Sequence, residues 1–144
     1  MTPSHVVVTD VERADAATSL TGPLVDSLAA AAALVSPQAI VVSHSVQGRD
    51  VAARFAARAG AMLAVDAVAL ARDDGGPGAH HCVYGGSYLV DSAASSGAMV
   101  VTVRQGAIDA RAAAAQPAIE PLEVPASDTR EVEVLSFEEA VAAS

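Results

Sequence analysis

The chain has 144 residues, 17 acidic and 8 basic side chains, a net charge of −9 at neutral pH and an isoelectric point near 4.6. That is length for one domain with a real core, under a surface that repels phosphate backbones and anionic membranes. All 8 basic residues are arginine, so a Schiff base, a lysine general base and a phosphate-loop lysine are excluded.

In chain order, His5-Val6-Val7-Val8 has the β-branched character of a buried parallel strand. A helix follows, with Thr21 or Gly22 at its cap and Pro23 in the first turn. Leu24, Leu28, Ala31 and Val35 keep the spacing of one buried face, and Ser36-Pro37 stops the helix. Ala39 to Ser43 is the second buried strand. The second helix starts around Gly48-Arg49-Asp50 and runs to Gly60, a left-handed cap. Val51, Ala52, Phe55 and Ala59 form its inner stripe, Arg54 and Arg58 face outward, and Asp50 pairs with Arg54 one turn on. A strand is expected at about 66–71, then a loop through Asp73-Asp74-Gly75-Gly76-Pro77-Gly78.

The alternation then gives way to consecutive strands, His81 to Tyr84, Tyr88 to Ser92 and Met99 to Arg104, read as an antiparallel meander. Residues 1–110 thus make an α/β domain, a mostly parallel helix-flanked sheet with an appended meander. Residues 111–144 read as an extended arm. Within the arm, Glu131 to Leu135 is expected to return as a strand. Ser136 and Glu139 mark a capping box for a short terminal helix. The lone Cys82 excludes an internal disulfide and suits a reducing compartment. No apolar run reaches membrane-spanning length and no secretory pattern opens the chain, so a cytoplasmic protein is expected.

Four groupings invite chemistry. The turn holding Ser43, Ser45, Gly48 and Arg49 joins a strand end to a helix start, where free N–H groups favour an anion; a helix cap with no ligand is the plainer reading. His44, Ser45 and Asp50 contain the residue types of a triad, but adjacent side chains do not converge and no nucleophile elbow is present. His80-His81-Cys82 is short of ligands for zinc, because alternate residues share a strand face and a solvated strand end suffices. Tyr84-Gly85-Gly86-Ser87-Tyr88 is a hairpin whose two tyrosines would also anchor a partner protein. Arg104, ending an apolar strand, calls for a carboxylate or backbone partner and reads as structural rather than as a substrate clamp.

Taken as an ordered set, Ile-Val-Val-Ser at 40–43, Ser45-x-x-Gly48-Arg49-Asp50, Tyr84-Gly85-Gly86 and Thr102-Val103-Arg104 resemble the first domain of the electron transfer flavoprotein alpha subunit. The resemblance runs from about Ser4 to Asp109. It implies a Rossmann-like fold of the adenine nucleotide alpha hydrolase type. Family members begin with a further strand–helix–strand unit and continue into a flavin-binding domain with a Ser-Gly-Gly-Arg-Gly motif that this sequence lacks, so a shortened first domain is expected. The resemblance further implies a heterodimer with a beta subunit and one FAD per complex. Electrons would pass from flavin dehydrogenases to a membrane quinone reductase and so to the respiratory chain. This chain would be scaffold and subunit interface, binding no cofactor alone and having no catalytic residue of its own. With sheet edges uncovered, it is expected to self-associate; nucleic acid and membranes are not expected partners. An adenine-nucleotide-binding signalling module with its phosphate site at Ser43–Gly48 stands as the alternative, and a small hydrolase as a weaker one.

Overall fold

The computed structural model describes residues 5–8, 21–111, 113, 114, 116, 118–125, 132, 134–136 and 138. In it α1 (Gly22–Val35) starts after Thr21 with a proline in its first turn. It ends at Ser36, which adopts a left-handed φ of 48° and donates its N–H to the Ala32 carbonyl. The strand β2 (Ala39–Ser43) leads into α2 (Val46–Ala59), which begins two residues earlier than the sequence suggested because Ser45 is its cap. Gly60 closes that helix in the left-handed region expected of it, with φ 62°.

Three strands follow: β3 (Met62–Asp73), β4 (Gly76–Val83) and β5 (Tyr88–Ala93). The expected loop at 73–78 shrinks to a turn at Asp74 and Gly75, where Asp73 Oδ1 accepts the Gly75 N–H at 2.8 Å. A single helical turn, Tyr84–Gly86, joins β4 to β5. These three strands are the antiparallel meander, so its membership differs from the sequence reading by one strand. Met99–Val103, β6, is not its last member. The chain returns from β5 to insert β6 between β2 and β3, parallel to both, giving the order β2-β6-β3-β4-β5. The sheet is therefore mixed, with two parallel and two antiparallel pairings. The physical reason lies in burial: Met99, Val100, Val101 and Thr102 are each at most 1% exposed, the signature of a strand covered on both faces.

On one face Val100 and Ile40 meet Val25 of α1 and Val51, Ala52, Phe55 and Ala56 of α2. The sequence expected Leu24, Leu28, Ala31 and Val35 to be the buried stripe of α1. Leu24 and Leu28 do pack half-buried against this core, but Val25 is the fully buried side chain and Val35 is 62% exposed, because the helix packs on α2 with its Leu24–Leu28 side along an open cleft beside β2. In α2, Ala56 takes the inner place expected of Ala59. On the other face Met99 and Val101 pack with Ala64, Ala67 and Ala79. Ala79 lies on β4, so this apolar cluster runs across β3 into the meander.

The strand β1 (His5–Val8) forms and is parallel, but its partner is β7 (Ala118–Pro121) in a separate two-stranded ladder. Strand β7 lies in the stretch read as an arm, and its four residues are exposed. Of the returning strand expected at Glu131–Leu135, Val132, Val134 and Leu135 have no regular structure, and Glu131 and Glu133 lie outside the described residues. The capping-box partner Glu139 also lies outside them. Among the described residues no helix is long and apolar enough to cross a membrane.

Candidate functional site

At the turn between β2 and α2, Ser45 Oγ accepts the Gly48 N–H at 3.0 Å, so this hydroxyl is spent on the helix cap. Gly48 is required by close approach rather than by an unusual φ: a Cβ there would lie 2.0 Å from the Ser43 carbonyl oxygen. That oxygen stands against the first turn of α2, where it meets an incoming anion with like charge. Ser43, Ser45 and Gly48 line one end of the open cleft beside β2, about 420 Å³, whose other wall is Leu24, Leu28 and Val42. The exposed Arg49 side chain does not line it. The lining is mostly apolar, its polar side chains being Ser27, Ser43, Ser45 and Gln47, and it includes no arginine for a phosphate.

The triad residue types disperse. Ser45 caps the helix; Asp50 takes the Arg54 guanidinium at 3.0 and 3.1 Å and the Thr21 hydroxyl from α1. His44 turns the other way, toward Thr102. Asp50 is held below the usual carboxylate range first by the Thr21 hydrogen bond and then by Arg54, with partial burial opposing both.

The densest polar cluster lies where β2 and β6 end and β3 bulges. Between Ala64 and Ala67, β3 places two residues opposite one of β6. Asp66 occupies that bulge with φ 60°, a conformation costly for any residue but glycine and tolerated best by Asn and Asp. Side chains stitch the bulge in place. The Asp66 N–H donates to Thr102 Oγ1 at 2.9 Å, and His81 Nδ1 donates to the Val65 carbonyl at 2.9 Å. The Arg104 N–H reaches the Ala67 carbonyl at 2.9 Å.

The bulge aims the Asp66 carboxylate at Arg104, which donates from Nε at 3.0 Å and from Nη2 at 2.6 Å. Nη2 also donates to the Cys82 carbonyl at 3.0 Å. This fork pulls Asp66 below the ordinary carboxylate range and raises Arg104, with desolvation opposing both. His44 Nδ1 lies 2.9 Å from Thr102 Oγ1 and its Nε2 3.8 Å from Asp66 Oδ1. Thr102 Oγ1 thus accepts the Asp66 N–H and lies within hydrogen-bond distance of the imidazole, whose other nitrogen faces the carboxylate.

His81 is only 8% exposed and its Nε2 meets Ser92 Oγ at 2.7 Å. The solvated strand end expected at 80–82 is thus half right: His80 is exposed and pairs with Asp91, while His81 is a core residue. Among the described residues no three His, Cys, Asp or Glu side chains form a metal-binding group. The sequence reading found Arg104 and missed Asp66, Thr102 and His81. A carboxylate inside the apolar run Leu63-Ala-Val-Asp66-Ala-Val68 was the available signal, since it demands a cation as surely as Arg104 demands an anion. Every group in the cluster is engaged by another, so it braces three strands.

The aromatic turn differs in kind. Tyr84 is 83% exposed and adopts φ 53°, ahead of Gly85 and Gly86 at 66° and 97°. Its ring meets that of Tyr88 edge to face, with centroids 5.7 Å apart. Leu89 and Val90 continue the apolar surface along β5, the outermost strand.

The described residues thus form a mixed sheet backed on one face by two helices, with a braced bulge and an exposed aromatic edge. The sequence profile of the electron transfer flavoprotein domain matches residues 1–128, and the chain belongs to that family. It is 37% identical over 105 residues to the electron transfer flavoprotein subunit alpha of Mycobacterium tuberculosis, a match covering 73% of this chain and 32% of that protein. With the alpha subunit of Mycobacterium leprae it shares 38% identity over 117 residues, 81% of this chain and 36% of the relative. The chain spans about a third of the length of these relatives. The family does not favour the adenine-nucleotide signalling alternative.

Proposed function

We propose that this chain is a first-domain scaffold and subunit-interface part of an electron transfer flavoprotein alpha subunit. In the complete complex it would pair with a beta subunit, and one FAD would carry electrons from flavin dehydrogenases toward a membrane quinone reductase and the respiratory chain. The chain itself acts as part of a cytoplasmic electron carrier, without catalytic residues and without flavin of its own. Residues 1–110 are its α/β domain and 111–144 its arm. Ser43, Ser45, Gly48 and Arg49 serve as helix cap and turn, Arg104 as a structural cation, and Tyr84, Gly85, Gly86 and Tyr88 as an interface anchor. The supporting observation is the pairing of the family match over 1–128 with a site whose polar groups are spent on one another. Among the described residues no strand pairs with the outer edges of β2 and β5, which supports self-association of the isolated chain.

The test is spectroscopic. The purified chain should elute from gel filtration without visible flavin absorbance after incubation with excess FAD, and should be captured by an immobilised beta subunit. Stoichiometric flavin retained by the chain alone would refute the scaffold reading, which assigns the exposed tyrosines to an interface rather than to an isoalloxazine.

A further inference from the structure

Tyr84 holds a conformation that its own turn does not explain. Its ring is exposed and meets that of Tyr88, so the core gains little from it. The backbone nevertheless sits at φ 53°, a region that bulky residues avoid. Strain of this kind persists only where neighbouring structure over-determines it. Across the turn the Ser87 N–H reaches the Tyr84 carbonyl at 3.3 Å, a long contact. The firmer constraints lie at the root of the hairpin.

Strand β4 loses its β3 partner after His81, its last residue in that ladder. The next carbonyl, that of Cys82, is taken by a side chain instead. Arg104 Nη2 carries two hydrogens, and it donates to Asp66 Oδ2 at 2.6 Å and to the Cys82 carbonyl at 3.0 Å. The carboxylate thus fixes the guanidinium, and the guanidinium fixes the peptide two residues before Tyr84. The Cys82 side chain lies against the turn as well, since a Cβ at Gly86 would stand 3.9 Å from its sulfur. His81 ties both neighbouring strands at this level, through the Val65 carbonyl of β3 and the Ser92 hydroxyl of β5. The groups that brace the bulge therefore also hold the root from which the aromatic turn projects.

We propose that Arg104 is a positioning residue for the subunit interface: through the Cys82 carbonyl it sets how the Tyr84–Gly86 turn leaves the sheet, and so how Tyr84 meets the beta subunit. This rests on the assignment of the tyrosines to that interface and adds the group that aims them.

Affinity of the full chain for an immobilised beta subunit reads the effect, in a double-mutant cycle of Tyr84→Ala and Arg104→Lys. Lysine keeps a cation for Asp66, but a single ammonium cannot reproduce the planar fork that holds carboxylate and carbonyl together. Tyr84→Ala should weaken binding roughly tenfold, and Arg104→Lys roughly threefold or more. The double variant should bind no more weakly than Tyr84→Ala alone, because an aiming group has nothing left to aim. Amide exchange at Tyr84, Gly85 and Gly86 should quicken in Arg104→Lys while α1 is unchanged. Should Arg104→Lys not fold, Asp66→Asn, which loosens the same fork, takes its place in the cycle. Wild-type affinity in Tyr84→Ala overturns the interface reading itself. Losses that multiply in the double variant, or an Arg104→Lys that binds like wild type or leaves the turn amides unmoved, leave that reading standing and overturn the positioning role.

Discussion

Thr102→Val isolates the bracing of the β3 bulge from everything around it. Valine nearly matches threonine in shape, so the central strand keeps its packing and loses one hydroxyl. That hydroxyl is fully buried and is the acceptor for the Asp66 N–H at 2.9 Å. The bulge holds Asp66 at φ 60°, so the freed N–H cannot simply slide into the β6 ladder. His44 also loses its partner, but its side chain is 19% exposed and has water within reach, so the Asp66 donor dominates the cost. An orphaned buried donor costs about 1–3 kcal/mol. For a domain of this size that lowers the melting temperature by about 3–10 °C. Calorimetry or circular dichroism melts of the wild type and Thr102→Val would measure it. Backbone amide exchange at Asp66 would read the same loss locally, rising in the variant well below its global unfolding. A variant that melts within about 1 °C of wild type, with Asp66 still protected, would mean that the hydroxyl does not hold the bulge.

Gly48→Ala should destabilise by roughly 1–3 kcal/mol or more, as overpacking does, because the new methyl would sit 2.0 Å from the Ser43 carbonyl oxygen; a lower urea midpoint at constant slope would show it. Asp66 has a folded-state pKa depressed first by its Arg104 hydrogen bond. Its contribution is therefore present above the ordinary carboxylate value and lost as pH falls below that value through the lower folded one. Asp66→Asn should flatten the acid limb of a stability-against-pH curve in that window, and an unchanged limb would remove Asp66 from the account of acid stability.

How much of this was legible in the sequence depends on the reach of each cause. Caps and stops act over three or four residues, and Thr21, Pro23, Ser36 and Gly60 are where the local rules put them. The Asp50–Arg54 pair, one turn apart on α2, was legible for the same reason. Strand order is set by what covers each strand, which no local window contains. Met99–Val103 follows two hairpin strands in sequence, and consecutive strands usually pair. Its unbroken apolar run nevertheless demanded cover on both faces, which an edge of a meander cannot supply. The inner face of α1 was only partly legible for a related reason. Leu24 and Leu28 satisfy helical periodicity as well as Val25 does, and only the position of α2 decides between them.

The candidate site shows the same division more sharply. Arg104 announced itself because a guanidinium at the end of an apolar strand must find an anion. Its anion lies 38 residues away in the chain, at a position whose backbone had to leave the strand conformation to bring the carboxylate round. Nothing local to Leu63–Val68 says that β3 will bulge there, because the stabilising groups, Thr102 and His81, come from two other strands. A left-handed aspartate flanked by small apolar residues is unstable by itself and stable only inside that frame. The bulge and its bracing therefore form together or not at all. Asp66, Thr102, His81 and Arg104 act as one cooperative unit, in which double-mutant couplings should exceed what any single hydrogen bond suggests.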